Sequence, residues 1–590
     1  MSRKHRSERE PLLDQQQILK QYGLSKAVIR KYFPKPQVKT VHGRHGATWT
    51  IGVWPESEVR RMLEHPEVAK LRAERERQNE EQRQMREIAA RFRDFSPEAY
   101  VRRARELKRS FVLHVGPTNS GKTYDAIEDL KRNTPGTYLS PLRLLALEMY
   151  DRINAAGIPC SMLTGEEHLP MENAQIVSST IELADTKTRF RTAVIDEAQL
   201  IADPSRGASW LRAICLVNAE VVHICMAPEA LSYIQKLIES FGDEYSVVRH
   251  RRLAPLRYGG ECRGYADLRP DDAVICFSRK SVLSTAALLE KNGFRASVIY
   301  GALPPEARRS EVRKYLAGEN NIVVATDAIG LGISLPIKRI VFAETEKFDG
   351  RRFRPLNTAE INQIGGRAGR FGLNEYGEVL VLGEDMNIRE KLGRSVPNVR
   401  AACVAFPREV LSTAYPLSLL LKTWQGMEKS PDFMREDMRD AQLLQNRLHG
   451  RELEQDRELI FDLSTCPIDS GSEELIGYWT ACARAILRGR NVPHPYFDTE
   501  TLLGCELQYK AFDIRHQLLR RIGREDDSTA ERRAICEKIA ALMRESKDEY
   551  IRRCRVCGRE LPIGSMFHYC EECFSLMPGG DLSTRGRKKT

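Results

Sequence analysis

One eight-residue spacing constrains this chain more than any other feature: GPTNSGKT, from Gly116 to Thr123. The apolar run FVLHV precedes it, and TYDAIEDLKR, with the pattern of an amphipathic helix, follows. A strand, a glycine-rich turn and a helix in that order bring successive backbone N–H groups together at a helix N-terminus, where they can hold phosphate oxygens. Gly116 and Gly121 allow the backbone to curl. Lys122 is placed to reach the terminal phosphates, and the Thr123 hydroxyl to take one position on Mg²⁺. The expected ligand is a nucleoside triphosphate, and the expected fold class around such a turn is α/β.

The rest of the chain must be organised around that turn. At 590 residues it should form several domains, about four by length. Its apolar runs, such as RTAVI and NIVVAT, are strand-sized, so no membrane span is expected. The start, MSRKHRSERE, mixes basic residues with Glu8 and Glu10 and lacks an apolar core. It resembles neither a signal peptide nor a clean transit peptide. We therefore expect the protein to stay in the compartment where it is made. The net charge of +11 suits a polyanionic partner. Fourteen cysteines without a secretory segment point to a reducing compartment, where clustered cysteines are metal ligands first.

Residues 1–63 read as a small winged-helix-like module: a helix in LSKAVIRKYF, a strand in ATWTIGVW and a helix restarting at Pro55, with Trp49 and Trp54 in its core. Residues 64–96 read as a charged helical linker, solvated and braced by Arg72 with Glu76, Arg77 with Glu81 and Arg83 with Glu87. From Phe111 to about residue 400, short apolar strands alternate with amphipathic helices. This α/β pattern of a parallel sheet occurs twice, over 97–250 and 251–400. Residues 401–550 become helical, with Trp424 and Trp479 expected in the core. Residues 551–576 hold a cysteine cluster, and 577–590 form a basic tail expected to be disordered.

Two further stretches complete a catalytic set. RTAVIDEAQLI places Asp196 and Glu197 at the C-terminal end of an apolar strand, where α/β folds build their sites. Asp196 is suited to hold Mg²⁺, and Glu197 to orient and deprotonate the attacking water. In INQIGGRAGR, Arg367 and Arg370 lie three apart on one helical face. From there both could reach the β- and γ-phosphates and stabilise charge that spreads during cleavage.

GPTNSGKT, SPLRLLALEM, TGEE, SSTIE, DEAQ, VATDAIGLGISL and QIGGRAGR, in that order, resemble a superfamily-two helicase. ARELKRSFVLHVGPTNSGKT and PLRLLALEMYDRINAAGIPCSMLTGEE resemble more specifically the Suv-three family, RNA helicases of the mitochondrial degradosome and bacterial relatives. The likeness covers residues 97 to 400 well and extends loosely to about 525. It implies two tandem RecA-like domains with ATP in the cleft between them. Gly116, Pro117, Thr118, Asn119, Ser120, Gly121, Lys122 and Thr123 would hold the triphosphate, with Thr123 and Asp196 on Mg²⁺. Gln199 and Gln363 would couple water and γ-phosphate to closure, while Gly330, Arg367 and Arg370 would act from the second domain. The resemblance also implies nucleic-acid contacts at Arg143, Thr164, Gly165, Thr180, Ser278, Arg279 and Thr326. Groups of these kinds suit phosphate and sugar rather than base edges. HICMAPEA, 223–230, departs from the Ser-Ala-Thr that many helicases carry after the DEAQ strand, and Ile364 stands where many have Arg. No upstream adenine-reading glutamine motif is evident.

CRVCGRELPIGSMFHYCEEC gives Cys554-x₂-Cys557-x₁₂-Cys570-x₂-Cys573. Two such knuckles about a dozen residues apart can close a tetrahedral thiolate site around structural Zn²⁺ in a zinc ribbon. His568 is a weaker rival ligand. The expectation is therefore an ATP- and Mg²⁺-dependent RNA helicase that moves 3′ to 5′ on single-stranded or tailed RNA. It is expected to be a monomer with a structural zinc, and the resemblance makes an exoribonuclease a candidate partner. The rival readings are a DNA translocase that does not separate strands, and a nucleic-acid-binding scaffold with a weak motor.

Overall fold

The computed structural model describes residues 10–42, 47–94, 98–165, 167–252, 254–330, 335–350, 352–369, 375–383, 385–428, 430–450, 452, 456–545, 547–563 and 568–576. Arg370 and the basic tail lie outside these residues. The chain divides into two compact units.

The first unit holds the described residues up to Asp94 together with Ser412–Trp424. Strands β1 (Leu12–Asp14), β2 (Gln37–His42) and β3 (Thr48–Pro55) form an antiparallel sheet in the order β1-β3-β2. Helices Gln15–Tyr22, Lys26–Tyr32 and Glu56–Leu63 pack with it around Ile18, Leu24, Ile29, Phe33, Trp54 and Val59. Asp14 opens the first helix with a reciprocal capping box to Gln17, and Gly23 ends it in the left-handed region at φ 66°. Of the two tryptophans, only Trp54 is core, its indole N–H donating to the Pro34 carbonyl at 2.8 Å. Trp49 is exposed, because strand alternation turns its side chain to the open face of β3.

The linker helix runs from Pro66 to Asp94. Arg72 pairs with Glu76 at 2.9 Å and Arg83 reaches Glu87 at 3.7 Å. The expected Arg77–Glu81 pair does not form. Arg77 instead bonds the Ala73 carbonyl, and Glu81 takes Lys422 at 2.6 Å. The helix is thus more than a solvated spacer. Phe92 meets the Trp424 ring at 5.1 Å and Glu87 accepts from the Tyr415 hydroxyl at 2.8 Å, so residues 412–424 cluster here rather than with the later helices.

The second unit contains two parallel sheets. In the first lobe the strands are β4 (Ser110–Val115), β5 (Gly136–Ser140), β6 (Cys160–Leu163), β7 (His168–Leu169), β8 (Ile176–Thr180), β9 (Phe190–Ile195), β10 (Ala219–Met226) and β11 (Glu244–Arg249). Their order is β11-β4-β10-β9-β5-β8-β6-β7, all parallel except the β6–β7 edge pair. In the second lobe the strands are β12 (Leu256–Cys262), β13 (Asp272–Ile275), β14 (Ala296–Ile299), β15 (Ile322–Ala325), β16 (Arg339–Phe342) and, after a small hairpin of β17 (Glu346–Phe348) with β18 (Phe353–Pro355), β19 (Gly377–Leu382). They form a six-stranded parallel sheet, β12-β19-β16-β13-β15-β14. Runs such as IVVA in β15 are buried at every position, as a central strand covered on both faces must be.

The later helices do not form a separate ball. Leu502, Cys505 and Tyr509 of helix Leu502–Arg521, with Cys536, Ile539 and Met543 of helix Thr529–Glu545, enter the apolar core of the second lobe. Trp479 is fully buried, its indole donating to the Leu463 carbonyl at 3.1 Å. Among the described residues no helix is long and apolar enough to cross a membrane.

Candidate active site

Three neighbouring strands, β4, β10 and β9, end side by side, and each delivers one part of the site from its C-terminal edge. After β4, residues 116–121 curl into helix Lys122–Arg132. Gly116 is obligatory here: a Cβ on it would stand 2.6 Å from the Ser120 hydroxyl and 2.8 Å from the His250 carbonyl. Gly121 holds the left-handed region at φ 79°, and Asn119 does so at 59° without being glycine. Lys122 is buried, its ammonium 3.5 Å from the Pro117 carbonyl.

After β9 come the two carboxylates. Asp196 is buried and accepts from the Thr123 hydroxyl at 3.2 Å, the Tyr138 hydroxyl at 2.9 Å and the Glu197 N–H at 2.9 Å. The Thr123 and Asp196 oxygens therefore face one point, as joint ligands to Mg²⁺ require. Burial, then the adjacent Glu197 carboxylate, push Asp196 up to about 6 in the absence of a cation. Burial would raise Glu197 too, but Lys122, Arg367 and Gln199 hold it below its ordinary value, so it stays ionised. Glu197 takes a left-handed backbone at φ 50°, an uncommon conformation for glutamate that turns it into the cleft.

After β10 comes the segment without Ser-Ala-Thr. Gln199 bonds the Glu197 carboxylate through its amide, and its carbonyl accepts from the Ala227 N–H at 3.0 Å. The Ala227 backbone amide thus ties the strand end after β10 to the carboxylate loop.

The second lobe closes the site. Thr118, Lys122, Thr123, Asp196, Glu197 and Arg367 line one cavity of about 200 Å³. Arg367 follows helix Thr358–Gly365 and donates to the Gly330 carbonyl at 3.1 and 2.6 Å. Gly330 lies against the Gln363 side chain, with 3.5 Å left for a Cβ. Gly366 abuts the first lobe, where a Cβ on it would stand 2.9 Å from that of Thr118, whereas a Cβ on Gly365 would press on Val379 at 3.1 Å within the second lobe. Ile364 is buried in the second lobe's core.

Residues 97–250 match the family described as the DEXQ-box helicase domain of Suv3, and residues 262–372 the helicase conserved C-terminal domain. The two lobes are thus similar to the helicase domains of the Suv3 family. A Candida albicans protein named ATP-dependent RNA helicase SUV3, mitochondrial, is 42% identical over 285 residues, 47% of this chain and 40% of that protein. A rice protein of the same name is 42% identical over 294 residues, 49% of this chain and 51% of its own. The human ATP-dependent RNA helicase SUPV3L1, mitochondrial, is 40% identical over 315 residues, 51% of this chain and 40% of its own. The chain thus spans about half or less of the length of these curated relatives.

Of the expected nucleic-acid contacts, Arg143, Thr164, Gly165 and Arg279 gather along helix Leu502–Arg521. Arg279 is ion-paired with the buried Glu506, which also accepts from the Tyr300 hydroxyl at 2.6 Å. At the other end of the helix, Arg520 donates to the Thr164 and Gly165 carbonyls at 3.1 and 3.2 Å. Arg143 stands near Arg308, Asp513 and His516, on which its charge acts. Ser278 caps helix Arg279–Lys291 by accepting from the Ser281 N–H at 3.0 Å. Thr180 and Thr326 are buried at strand ends. The contacts of Arg279, Thr164 and Gly165 with this helix are not visible in motif spacing, because it lies more than 200 residues away from them.

A chain of three histidines in the first lobe also escapes sequence reading. His114 of β4 bonds His223 of β10 at 2.9 Å and His250 at 3.0 Å. His223 reaches the Asp129 carboxylate at 2.9 Å, and His250 lies 3.8 Å from Asp125. If His223 donates to Asp129, His114 can donate to His223 and His250 to His114 with all three rings neutral. Burial, with the two neighbouring rings, depresses His114 to about 4, and burial likewise lowers His223 and His250. A depressed folded value means that stability is fully present above the unfolded value near 6.5 and is lost as pH falls toward 4. His114 alone is worth on the order of 3 kcal/mol over that range. Imidazole NMR titration should show His114 neutral at pH 5, and thermal melting should fall steeply below pH 6.5. Protonation of His114 near 6.5 would refute the neutral chain.

The ligand atoms of Cys554, Cys557, Cys570 and Cys573 lie within 4.8 Å of one another, with 3.6 Å between the Cys557 and Cys570 Sγ atoms. Four thiolates about 2.3 Å from one Zn²⁺ would be about 3.8 Å apart, so the four residues fit that ion. Backbone amides, that of Cys557 foremost, pull the Cys554 thiol down to about 6, which favours the thiolate. The His568 side chain is exposed. The knuckles sit on helix Arg279–Lys291, where Ile551 packs on Ala287 and Leu288 and Lys291 pairs with Glu560 at 2.7 Å. Metal-binding free energy of about 10 kcal/mol would be folding energy for so small a module. Cys570→Ser should lower bound zinc from one per chain to none and open cleavage after Tyr550 to protease, with nucleotide binding intact. A variant that kept full zinc would remove Cys570 from the ligand set.

Proposed function

We propose that this chain is an ATP-dependent RNA helicase, hydrolysing ATP with Mg²⁺ to translocate 3′ to 5′ on single-stranded or tailed RNA. The observation that carries this reading is the meeting of Lys122, the Asp196–Glu197 pair and Arg367 in one cleft between two lobes. A triphosphate held at residues 116–123 would draw Arg367 inward, and hydrolysis would release it. The spacing of nucleic-acid contacts on the two lobes would change with each cycle, and stepping follows from that change. The exposed Phe348 and Phe353 rings, 5.5 Å apart on the β17–β18 hairpin, offer faces on which bases of any sequence can stack. RNA is preferred over DNA because the named relatives are RNA helicases. Those names also favour the mitochondrial matrix over the bacterial cytoplasm as the place of action. The zinc ribbon is read as structural, and an exoribonuclease as a partner that would consume the unwound strand.

Turnover measured with single-stranded RNA, single-stranded DNA and duplex, alongside unwinding of a 3′-tailed duplex, tests the reading. RNA-stimulated hydrolysis with strand release is the expected result. Hydrolysis without release would indicate a translocase, and no hydrolysis at all a scaffold.

A further inference from the structure

The chain crosses from the first lobe to the second between Arg249, the end of β11, and Leu256, the start of β12. Arg252 lies in that crossing. Its guanidinium donates to the Thr118 carbonyl at 3.1 Å, the Gly366 carbonyl at 2.8 Å, the Ala254 carbonyl at 2.6 Å and the Ala368 carbonyl. One planar group thus joins the phosphate loop, the crossing and both sides of Arg367. The contact is reinforced from the first lobe, where the Asn119 amide donates to the same Gly366 carbonyl at 3.0 Å. It is also tight, since the Gly366 backbone leaves no room for a Cβ beside Thr118.

We propose that Arg252 is a positioning residue for ATP hydrolysis: it pins the turn that carries Arg367 to the phosphate loop, so that closing the lobes delivers Arg367 to the triphosphate. The inference deepens the proposed function and rests on it. Arginine suits the task because its fork can meet several carbonyls in one plane, whereas lysine presents a single point charge. The acceptors are all backbone oxygens, so the pin does not depend on the protonation of a carboxylate. A purely structural role is the competing account. Gly366 and Ala368 follow the last turn of helix Thr358–Gly365, where carbonyls lack intrahelical donors, and Arg252 would then serve only to satisfy them.

Steady-state kinetics on the full chain with single-stranded RNA separates the two. Arg252→Ala is expected to lower kcat by about 10- to 100-fold, the scale of a misplacement near 1 Å. Affinity for a fluorescent ATP analogue should stay within about threefold, because the phosphate loop keeps its own donors. Arg252→Lys should recover part of the loss. Gly366→Ala, which wedges the same contact from the other side, should reproduce it, and the double variant should be no worse than either single one. Wild-type kcat in Arg252→Ala, or a loss that merely tracks a lowered melting temperature in both Arg252 variants, would overturn the proposal. If the wild type itself fails to hydrolyse ATP, the functional reading falls and the pin is still tested. Fluorescent labels on the two lobes should close with a non-hydrolysable ATP analogue in the wild type and not in Arg252→Ala. Equal closure in both would reject the pin.

Discussion

Arg367→Ala is expected to lower ATP turnover by about 10³- to 10⁵-fold, the range over which a transferring phosphoryl group depends on an arginine supplied from outside the phosphate loop. The reason lies in where the side chain already stands. Arg367 is on the cavity wall opposite Lys122 and Glu197, parked on the Gly330 carbonyl by two hydrogen bonds. Leaving water for the cleft costs the guanidinium, which is drawn below its ordinary value by burial, but Glu197 partly compensates it. A γ-phosphate would compensate it fully, and more so as charge spreads over the equatorial oxygens during cleavage. Nucleotide affinity should change only a few-fold, because residues 116–123 belong to the other lobe. Arg367→Lys should recover little, since a point charge cannot replace the fork. Single-turnover hydrolysis with RNA bound is the measurement. Turnover within tenfold of wild type would detach Arg367 from the reaction.

Glu197→Gln should cost about 10² to 10⁴ in the hydrolytic step, the usual worth of a positioned general base. Glutamine keeps the shape and can still meet Gln199, so the fold should hold. It loses the carboxylate that Lys122, Arg367 and Gln199 keep ionised although it is half-buried. Removing a negative charge beside an anionic ligand should leave ATP affinity unchanged or tighter, and RNA should stay bound to the trapped complex. Rapid-quench kinetics, paired with equilibrium ATP binding, separates the two effects. A variant that hydrolyses normally would pass the base role to another group, and one that no longer binds ATP would show that Glu197 serves the loop rather than the water.

The two parallel sheets were legible because buried central strands must be largely apolar: IVVA is so throughout, and β9 is from Ala193 to Ile195. The phosphate loop was legible because a contiguous backbone curl needs its glycines at set intervals. The cysteine cluster was legible for a similar reason, each knuckle being a local turn. The misses share the opposite character. Trp49 and Trp54 lie five residues apart on β3, so alternation that buries Trp54 sends Trp49 to solvent. Arg77 and Glu81 had helical spacing, but Lys422, far along the chain, took the glutamate. Arg252 carries no motif, and its acceptors are carbonyls that any residue type provides. The three histidines are ordinary in sequence, and only strand pairing makes them neighbours.

By itself, then, the sequence determined the chemistry that is local: a triphosphate turn, two carboxylates at a strand end, an arginine-bearing glycine turn and four clustered thiols. Tertiary structure alone decided which of these meet, how the lobes touch at Thr118 and Gly366, and which groups hold them there. The physical reason is range. Backbone curvature and ligand spacing are set within about a dozen residues, whereas hydrogen bonds to carbonyls and buried ring contacts depend on positions that only the folded chain brings together.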